Sequence, residues 1–425
     1  MRRLLGQNSN QQGGFVLITV LTLTFLLFGL AASYAEILLS EKRLVQGSLN
    51  SINTQGLAEA GIEQAMWEYN YDSALFTGWS GVTTKTKTIN GFTDANGNAI
   101  GNYSVSVNTA TNIITSSSTY TNAYGGGLQS VVEAKVAPKA VFSSAVKAKG
   151  LVSFNGNAYT DSYNSSNGAY NSSTNVASNG DIVTNSNSST LHSEAVNWNG
   201  SSHINGDVNT GSSGTTSNTT DISGTISHTA NEIFDDVTVP SSLTVLPDLG
   251  TLNSTTTLGD GTSTAKNYHY SSVDLGSHDD ITINGNVVIY LDSTDSHGAF
   301  VTEDLEIGAT GKVTINSGSS LTIYTNGNVN ANGSGIINNN SSTNPGSLKI
   351  YGTSTCTAIS LGGNSSLSGV IYAPYAAVST SGSNTLYGSI VANTVSLGQP
   401  LHYDEALESN GPVSGYQLSW YRRIS

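Results

Sequence analysis

The sequence predicts an α+β arrangement followed by an all-β one: a long N-terminal helix, a small antiparallel sheet domain, and a C-terminal parallel β-solenoid, with an antiparallel β-sandwich as the alternative for the last part. Three observations predict it. A charge-free apolar run, Phe15–Ala35, opens onto an amphipathic pattern that continues to about Tyr69. From about Trp79 the apolar period changes from helical to alternating. Beyond Ala140 the chain is rich in Asn, Ser, Thr and Gly, and short Val/Ile/Leu/Tyr blocks recur between Asn-Gly or Ser-Gly turns. These changes divide the chain into a leader (1–14), a helix (15–70), a β head (79–138), a β-rich body (140–408) and a C-terminal tail (409–425).

The first element is set by the order of its parts. The leader MRRLLGQNSNQQGG carries Arg2 and Arg3 and no acidic residue, and FVLITVLTLTFLLFGLAASYA follows it without a charge. About 20 apolar residues rising about 1.5 Å each cross roughly 30 Å of hydrocarbon, and the arginines are expected on the cytoplasmic side. A secretory signal places its small residues after the apolar segment, so that the segment is discarded; here Gly13 and Gly14 precede it. Cleavage after Gly14 would therefore leave the helix on the mature protein. This order resembles the class III signal of type IV prepilins and type II pseudopilins. The resemblance implies a membrane prepilin peptidase that cuts between Gly14 and Phe15 and N-methylates Phe15. The alternative is a plain N-terminal anchor that is never processed.

The helix is expected to continue past the membrane. No proline interrupts the chain between Glu36 and Trp67, and Leu38, Val45, Leu49, Ile52, Ile62, Met66 and Tyr69 fall mostly three, four or seven residues apart. The first half would lie in lipid or a filament core and the second against a globular domain. Gly47, Gly56 and Gly61 each weaken a helix by up to about 1 kcal/mol relative to Ala, which marks Gly47 and Gly56 as break points. The segment LAEAGIEQAMWEYN, Leu57 to Asn70, is similar to the signature of PilX-type minor pilins and K-type pseudopilins. Major pilins carry a glutamate at the fifth mature residue, thought to neutralise a neighbour's terminal amine; here that position is Thr19. A carboxylate in lipid is expensive unless paired, whereas Thr can bond to its own helix. By resemblance this trait belongs to the K-type pseudopilins and implies a tip or minor position.

Four strands are expected next, at Lys85–Phe92, Gly101–Val107, Ile113–Tyr120 and Ser130–Val136, separated by turn clusters such as DANGNAIG and NAYGGG. Laid on the helix they outline a pilin head. In the body, disorder would call for high net charge and few β-branched residues, so the repeated strands argue for a folded region, least firmly over 162–220. The blocks VVIYL at Val287, LTIYT at Leu321, LKIYG at Leu348, GVIYAP at Gly369 and GSIVAN at Gly388 recur at intervals of about 20 residues or more, as stacked coils would. The stretch from Leu361 through Gly369-Val370-Ile371-Tyr372-Ala373-Pro374 to His402-Tyr403-Asp404-Glu405 resembles the C-terminal domain that follows PilX-type N-termini. Residues of about 140–280 carry no such match.

A solenoid also invites an enzymatic reading, because polysaccharide lyases and hydrolases use parallel β-helices. That chemistry needs converging carboxylates with a base or calcium. Asp235-Asp236, Asp279-Asp280, Glu303-Asp304 and Asp404-Glu405 are consecutive pairs, which point to opposite faces of a strand, and the nearby bases reduce to Lys266, Lys312 and Lys349. No catalytic residue is assigned. His192, His203, His228, His269, His278, His297 and His402 fit no zinc spacing, so no metal or cofactor is assigned either; His402 is expected to cap the end of the solenoid. Cys356 is the only cysteine, which excludes an intramolecular disulfide. A net charge of −14 argues against a nucleic-acid partner. The combined expectation is a minor pilin or pseudopilin of a type IV pilus or type II secretion-type filament, not an enzyme. It would sit as a single-pass protein in the bacterial inner membrane with its C-terminus outside, then in a pilus or periplasmic filament. Its partners would be the prepilin peptidase, other pilins and the inner membrane. The alternatives are a tethered adhesin or carbohydrate-binding protein with a surface glycan as ligand, and a β-helix polysaccharide-degrading enzyme.

Overall fold

The computed structural model describes residues 12–71, 76–93, 99–121, 127–276, 278–292, 303–308, 310–331, 335–362, 368–382, 385–410 and 413–424. The chain forms two compact units: Met1–Lys139 with Gly415–Ser425, and Ala140–Ser414, so the second is inserted into the sequence of the first.

In the first unit, α1 (Gln12–Tyr71) is one unbroken helix of 60 residues, about 90 Å long at about 1.5 Å per residue. It runs straight through Gly47 and Gly56, the expected break points. At both, a Cβ would meet nothing within 4 Å, so the cost there is propensity alone. Four antiparallel neighbours follow, β1 (Thr84–Thr93), β2 (Ala99–Asn108), β3 (Ile113–Thr121) and β4 (Gly127–Ala140). They lie where the alternating pattern placed them; the turn clusters DANGNAIG and NAYGGG fall largely outside the described residues. Residues 409–425, read as a tail, contain a further strand, Val413–Arg423, which pairs beside β4 as the fifth of the sheet. The core of this unit lies between α1 and the sheet: Ala58, Ile62, Ala65 and Tyr69 face Val105, Val107, Ile114, Val132 and Val136.

The second unit is mostly β, and the ladders between its main strands are parallel. The antiparallel sandwich finds no counterpart among them; antiparallel pairing in the described residues of this unit is confined to a two-residue hairpin and isolated bridges. The recurring Ile-Tyr blocks are ladder neighbours. Ile289, Ile323, Ile350, Ile371 and Ile390 stand in one register column, which continues through Val146, Ile182, Val208 and Ile226. A second column runs Leu252, Val273, Leu305, Val329, Ile359, Val378, Val395, Val152 and Val196. Each fully buried member removes an aliphatic side chain from water, worth about 1.5–3 kcal/mol, and in-register repetition is what lets strands with so few charges cohere.

The ladder order is not the chain order. Val146–Ala148 pairs with the late strand Leu386–Leu397 on one side and with Ile182–Thr184 on the other. The chain therefore enters this unit in mid-ladder and builds outward to Ile226–Ser227. It then crosses to the far end at Thr251–Leu252 and fills back until it meets its own first strands. The crossing segment runs alongside the ladder. The Asn185 amide exchanges hydrogen bonds with the backbone of Glu232, the Tyr372 hydroxyl donates to the Asp235 carbonyl, and His269 Nδ1 meets the Leu246 carbonyl at 2.9 Å.

This order corrects the reading of His402. Strand Leu401–Asp404 lies between Leu386–Leu397 and Tyr159–Tyr163, so His402 closes the seam between the unit's last strands and its first, not an end. Its Nδ1 bonds to Asp161 Oδ1, the Tyr170 hydroxyl donates to Asp161 Oδ2 at 2.9 Å, and the Tyr170 ring stacks on the imidazole at 3.8 Å.

Residues 162–220 are described throughout and carry a repeat that apolar periodicity does not show. Asn179-Gly180-Asp181-Ile182 and Asn205-Gly206-Asp207-Val208 form stacked corners, with Ser223-Gly224-Thr225-Ile226 above them. Asp181 Oδ1 accepts from the Asp207 N–H at 2.7 Å and Asp207 Oδ1 from the Thr225 N–H at 2.6 Å. A Cβ on Gly206 would lie 2.6 Å from the Gly180 carbonyl carbon, so the corners stack this closely only because they are glycine.

Candidate functional site: the N-terminal helix

α1 divides into two stretches of opposite environment. From Leu17 to Ile52 its large apolar residues are exposed; Leu17, Phe25 and Phe28 are 69, 71 and 75% exposed. The helix is long and apolar enough to cross a membrane. Its hydroxyls are folded back onto it: Thr22 donates to the Ile18 and Thr19 carbonyls, Thr24 to Val20 and Leu21, and Ser33 to Gly29. That bonding satisfies the hydroxyls without water, which an apolar surrounding requires. Thr19 lies in this stretch, and the first acidic residue after Phe15 is Glu36. Gly14 and Phe15 have helical backbone, while Met1–Gln11 lie outside the described residues.

The second half of the helix is expected to pack against a globular domain. Contact with the head instead starts at Thr54, which is buried and whose carbonyl accepts from Ser118 Oγ at 2.6 Å. Leu38, Val45, Leu49 and Ile52 stay exposed, because a stripe of apolar residues marks a face without saying which molecule covers it. At Gly61 helix and sheet come closest: a Cβ would sit 2.1 Å from Ser116 Oγ.

The end of the helix is held by polar groups. Buried Glu68 accepts from Trp79 Nε1 at 3.0 Å and Gln64 Nε2 at 3.1 Å, and pairs with Lys87 Nζ at 3.3 Å. The C-terminal strand flanks the same stretch. Tyr416 N–H donates to Asn70 Oδ1 at 2.7 Å, its ring packs on Tyr69 at 4.8 Å, and the Tyr421 hydroxyl donates to Glu59 Oε1 at 2.8 Å. Burial, and then the Tyr416 phenol, push the Tyr69 hydroxyl up to about 12. Sequence reasoning missed this strand, although VSGYQLSWYRR alternates as the head strands do.

The other residues singled out in the sequence are taken up locally. Asp236 Oδ1 accepts from Tyr375, Asp280 pairs with Lys312 at 3.1 Å, and Asp304 Oδ2 accepts from Thr325 Oγ1 at 3.0 Å. Asp404 Oδ1 accepts the Ser165 and Ala406 N–H groups, and Glu405 Oε1 accepts from Ser162 and Asn179. His269 is buried against Tyr290, His203 stacks on Tyr159, His228 meets Thr210 Oγ1 at 2.7 Å, and His192 and His278 occupy positive-φ turns. His297 lies outside the described residues. Cys356 is fully buried, and burial pushes its thiol up to about 12.

A family described as "Domain of unknown function (DUF7305)" matches residues 204–410, somewhat less than half of the chain. No curated protein matches. Among solved structures, the crystal structure of the competence-associated pilin ComZ from Thermus thermophilus aligns over 88% of this chain and 98% of that one, at 12% identity and a TM-score of 0.24. At that score the likeness carries no inference about this chain.

Proposed function

We propose that this protein is a minor pilin or pseudopilin of the PilX or K type, a structural subunit of a type IV pilus or type II secretion-type filament and not an enzyme. The observation that carries the reading is the split along α1. About 35 residues of helix, opening with the charge-free run that ends at Ala35, keep their large apolar side chains exposed, while the head grips the same helix firmly from Thr54 onward. A bare charge-free helix of about 20 residues needs lipid before assembly and sister helices after it. The Gly14-Phe15 junction supplies the processing step: a prepilin peptidase cuts there and methylates Phe15, and Arg2 and Arg3 hold the leader in the cytoplasm until it does. With Thr19 in place of a carboxylate the subunit lacks the charge that would meet the amine of the subunit ahead, which fits the tip. The parallel ladders of the second unit support reading it as a β-solenoid body, which the filament would display outside.

Mass spectrometry of protein recovered from cells tests this. The mature chain should begin at Phe15 with one added methyl group and co-purify with fibre subunits. Retention of Arg2 and Arg3 on protein that never accompanies a fibre would overturn it.

A further inference from the structure

The second unit holds five lysines and no arginine, and four of the lysines have a charged or aromatic partner. Lys147 pairs with Glu232 at 3.7 Å, Lys266 with Asp260 at 2.9 Å and Lys312 with Asp280 at 3.1 Å, while Lys149 lies 3.9 Å over the Tyr375 ring. Lys349 is different: its side chain forms no ion pair or hydrogen bond with the described residues. It is also partly buried, and that burial lowers its pKa from the ordinary lysine value. Half-buried ammonium without a counter-charge is costly, and an anion placed against it would recover that cost.

Space for such an anion lies on both sides. Lys349 lines two clefts, of about 220 and 270 Å³. In the first it faces Phe142 and Leu407 with the hydroxyl-bearing Ser165 and Ser320, and the one carboxylate there, Asp404, is already held by two backbone N–H groups. In the second it adjoins Tyr324 and Tyr351, whose rings stack at 5.0 Å and 19°, beside Asn267 and Leu243. Each cleft is smaller than a pocket for a drug-sized ligand, but together they fall within that range. Flat aromatic and apolar walls, hydroxyl and amide donors, and one central cation suit pyranose rings that carry a carboxylate.

We propose that the two clefts flanking Lys349 form one groove for an acidic oligosaccharide, with a sugar ring in each cleft and a uronic- or sialic-type carboxylate on the Lys349 ammonium. The groove lies wholly within the second unit and does not depend on the filament reading, so either can fail alone. The full chain in detergent micelles is titrated calorimetrically with trigalacturonate and sialyllactose, and with maltotriose and lactose as neutral counterparts. At least one acidic probe should bind about tenfold or more tightly than its counterpart. Lys349→Met, which keeps the packed stem, should lose about tenfold of that affinity, and Lys349→Arg should retain most of it. Affinity should also fall as pH rises, starting below the ordinary lysine range. Binding of neither acid, equal binding of acidic and neutral sugars, or undiminished binding by a Lys349→Met protein with unchanged melting would each overturn the proposal.

Discussion

The two halves of α1 share one unbroken backbone, yet their surroundings differ. Between Leu17 and Ile52 the described residues of this unit leave the large apolar side chains exposed; between Thr54 and Tyr69 the sheet, Trp79 and the C-terminal strand cover them. The difference teaches that the head needs only the last five turns of the helix. The rest is surface kept for something other than this unit's own core. Substitutions in one half should therefore register in a measurement to which the other half is blind.

The largest effect should come from the docked half. Ile62 is 3% exposed within the helix–sheet core, so Ile62→Ala should destabilise the head by about 2–5 kcal/mol. Ile52→Ala, ten residues earlier on the bare half, should stay within about 0.5 kcal/mol. Denaturant unfolding of the full chain in detergent, followed by near-UV circular dichroism, separates the two. Equal losses would show that the division at Thr54 is not real.

The converse substitution probes the bare half. Leu26→Lys puts a charge in mid-span and should weaken membrane insertion by about 3 kcal/mol while leaving head unfolding unchanged. Extraction of membranes at alkaline pH reads the first, and the unfolding curve reads the second. If the variant stays as firmly in the membrane as the parent, Phe15–Ala35 is not the spanning segment.

Much of this was legible in the sequence because the signal was periodic. The four head strands and the Ile-Tyr blocks announce themselves through alternation and recurrence, and the blocks prove to be ladder neighbours. What was illegible depends on contacts far apart in the chain. Nothing in VKAKG says that Val146 will pair with Ile390 or that His402 will meet Asp161, since mid-ladder entry is a property of the closed structure and not of either segment. The Asn-Gly-Asp corners were legible in principle and missed, because their regularity lies in glycine and a capping carboxylate and not in apolar spacing. The stripe was seen, but Val45, Leu49 and Ile52, in the half expected to pack on the globular domain, stay exposed.

Glycines sharpen the contrast at smaller scale. Gly47 has open space where a Cβ would go, so Gly47→Ala should add up to about 1 kcal/mol of helix stability. Gly61→Ala gains the same propensity but drives its methyl to within 2.1 Å of Ser116 Oγ, a buried hydroxyl with no hydrogen-bond partner among the described residues. Overpacking of that kind costs about 1–3 kcal/mol, so the net should be destabilising. Two melts of opposite sign are expected. If Gly61→Ala stabilises, the helix and sheet are looser than this contact indicates.

The smallest effect is a pH dependence confined to the docked half. Tyr69 donates to Asn112 Oδ1 at 3.1 Å and packs against Phe76 and Tyr416, and its hydroxyl is pushed up to about 12. A phenol whose folded pKa lies above its unfolded value holds its proton longer in the folded state. Its contribution is fully present below about pH 10 and declines as the pH rises toward 12, where the unfolded state has already released the proton. The head should thus lose stability across that window, and Tyr69→Phe should flatten the loss at the expense of one hydrogen bond. The slope should be the same in Leu26→Lys, whose altered residue lies in the bare half, outside this core. A Tyr69→Phe protein with the parent's slope would assign the titration to another phenol of the head, with Tyr103, also raised by burial, as the first to examine.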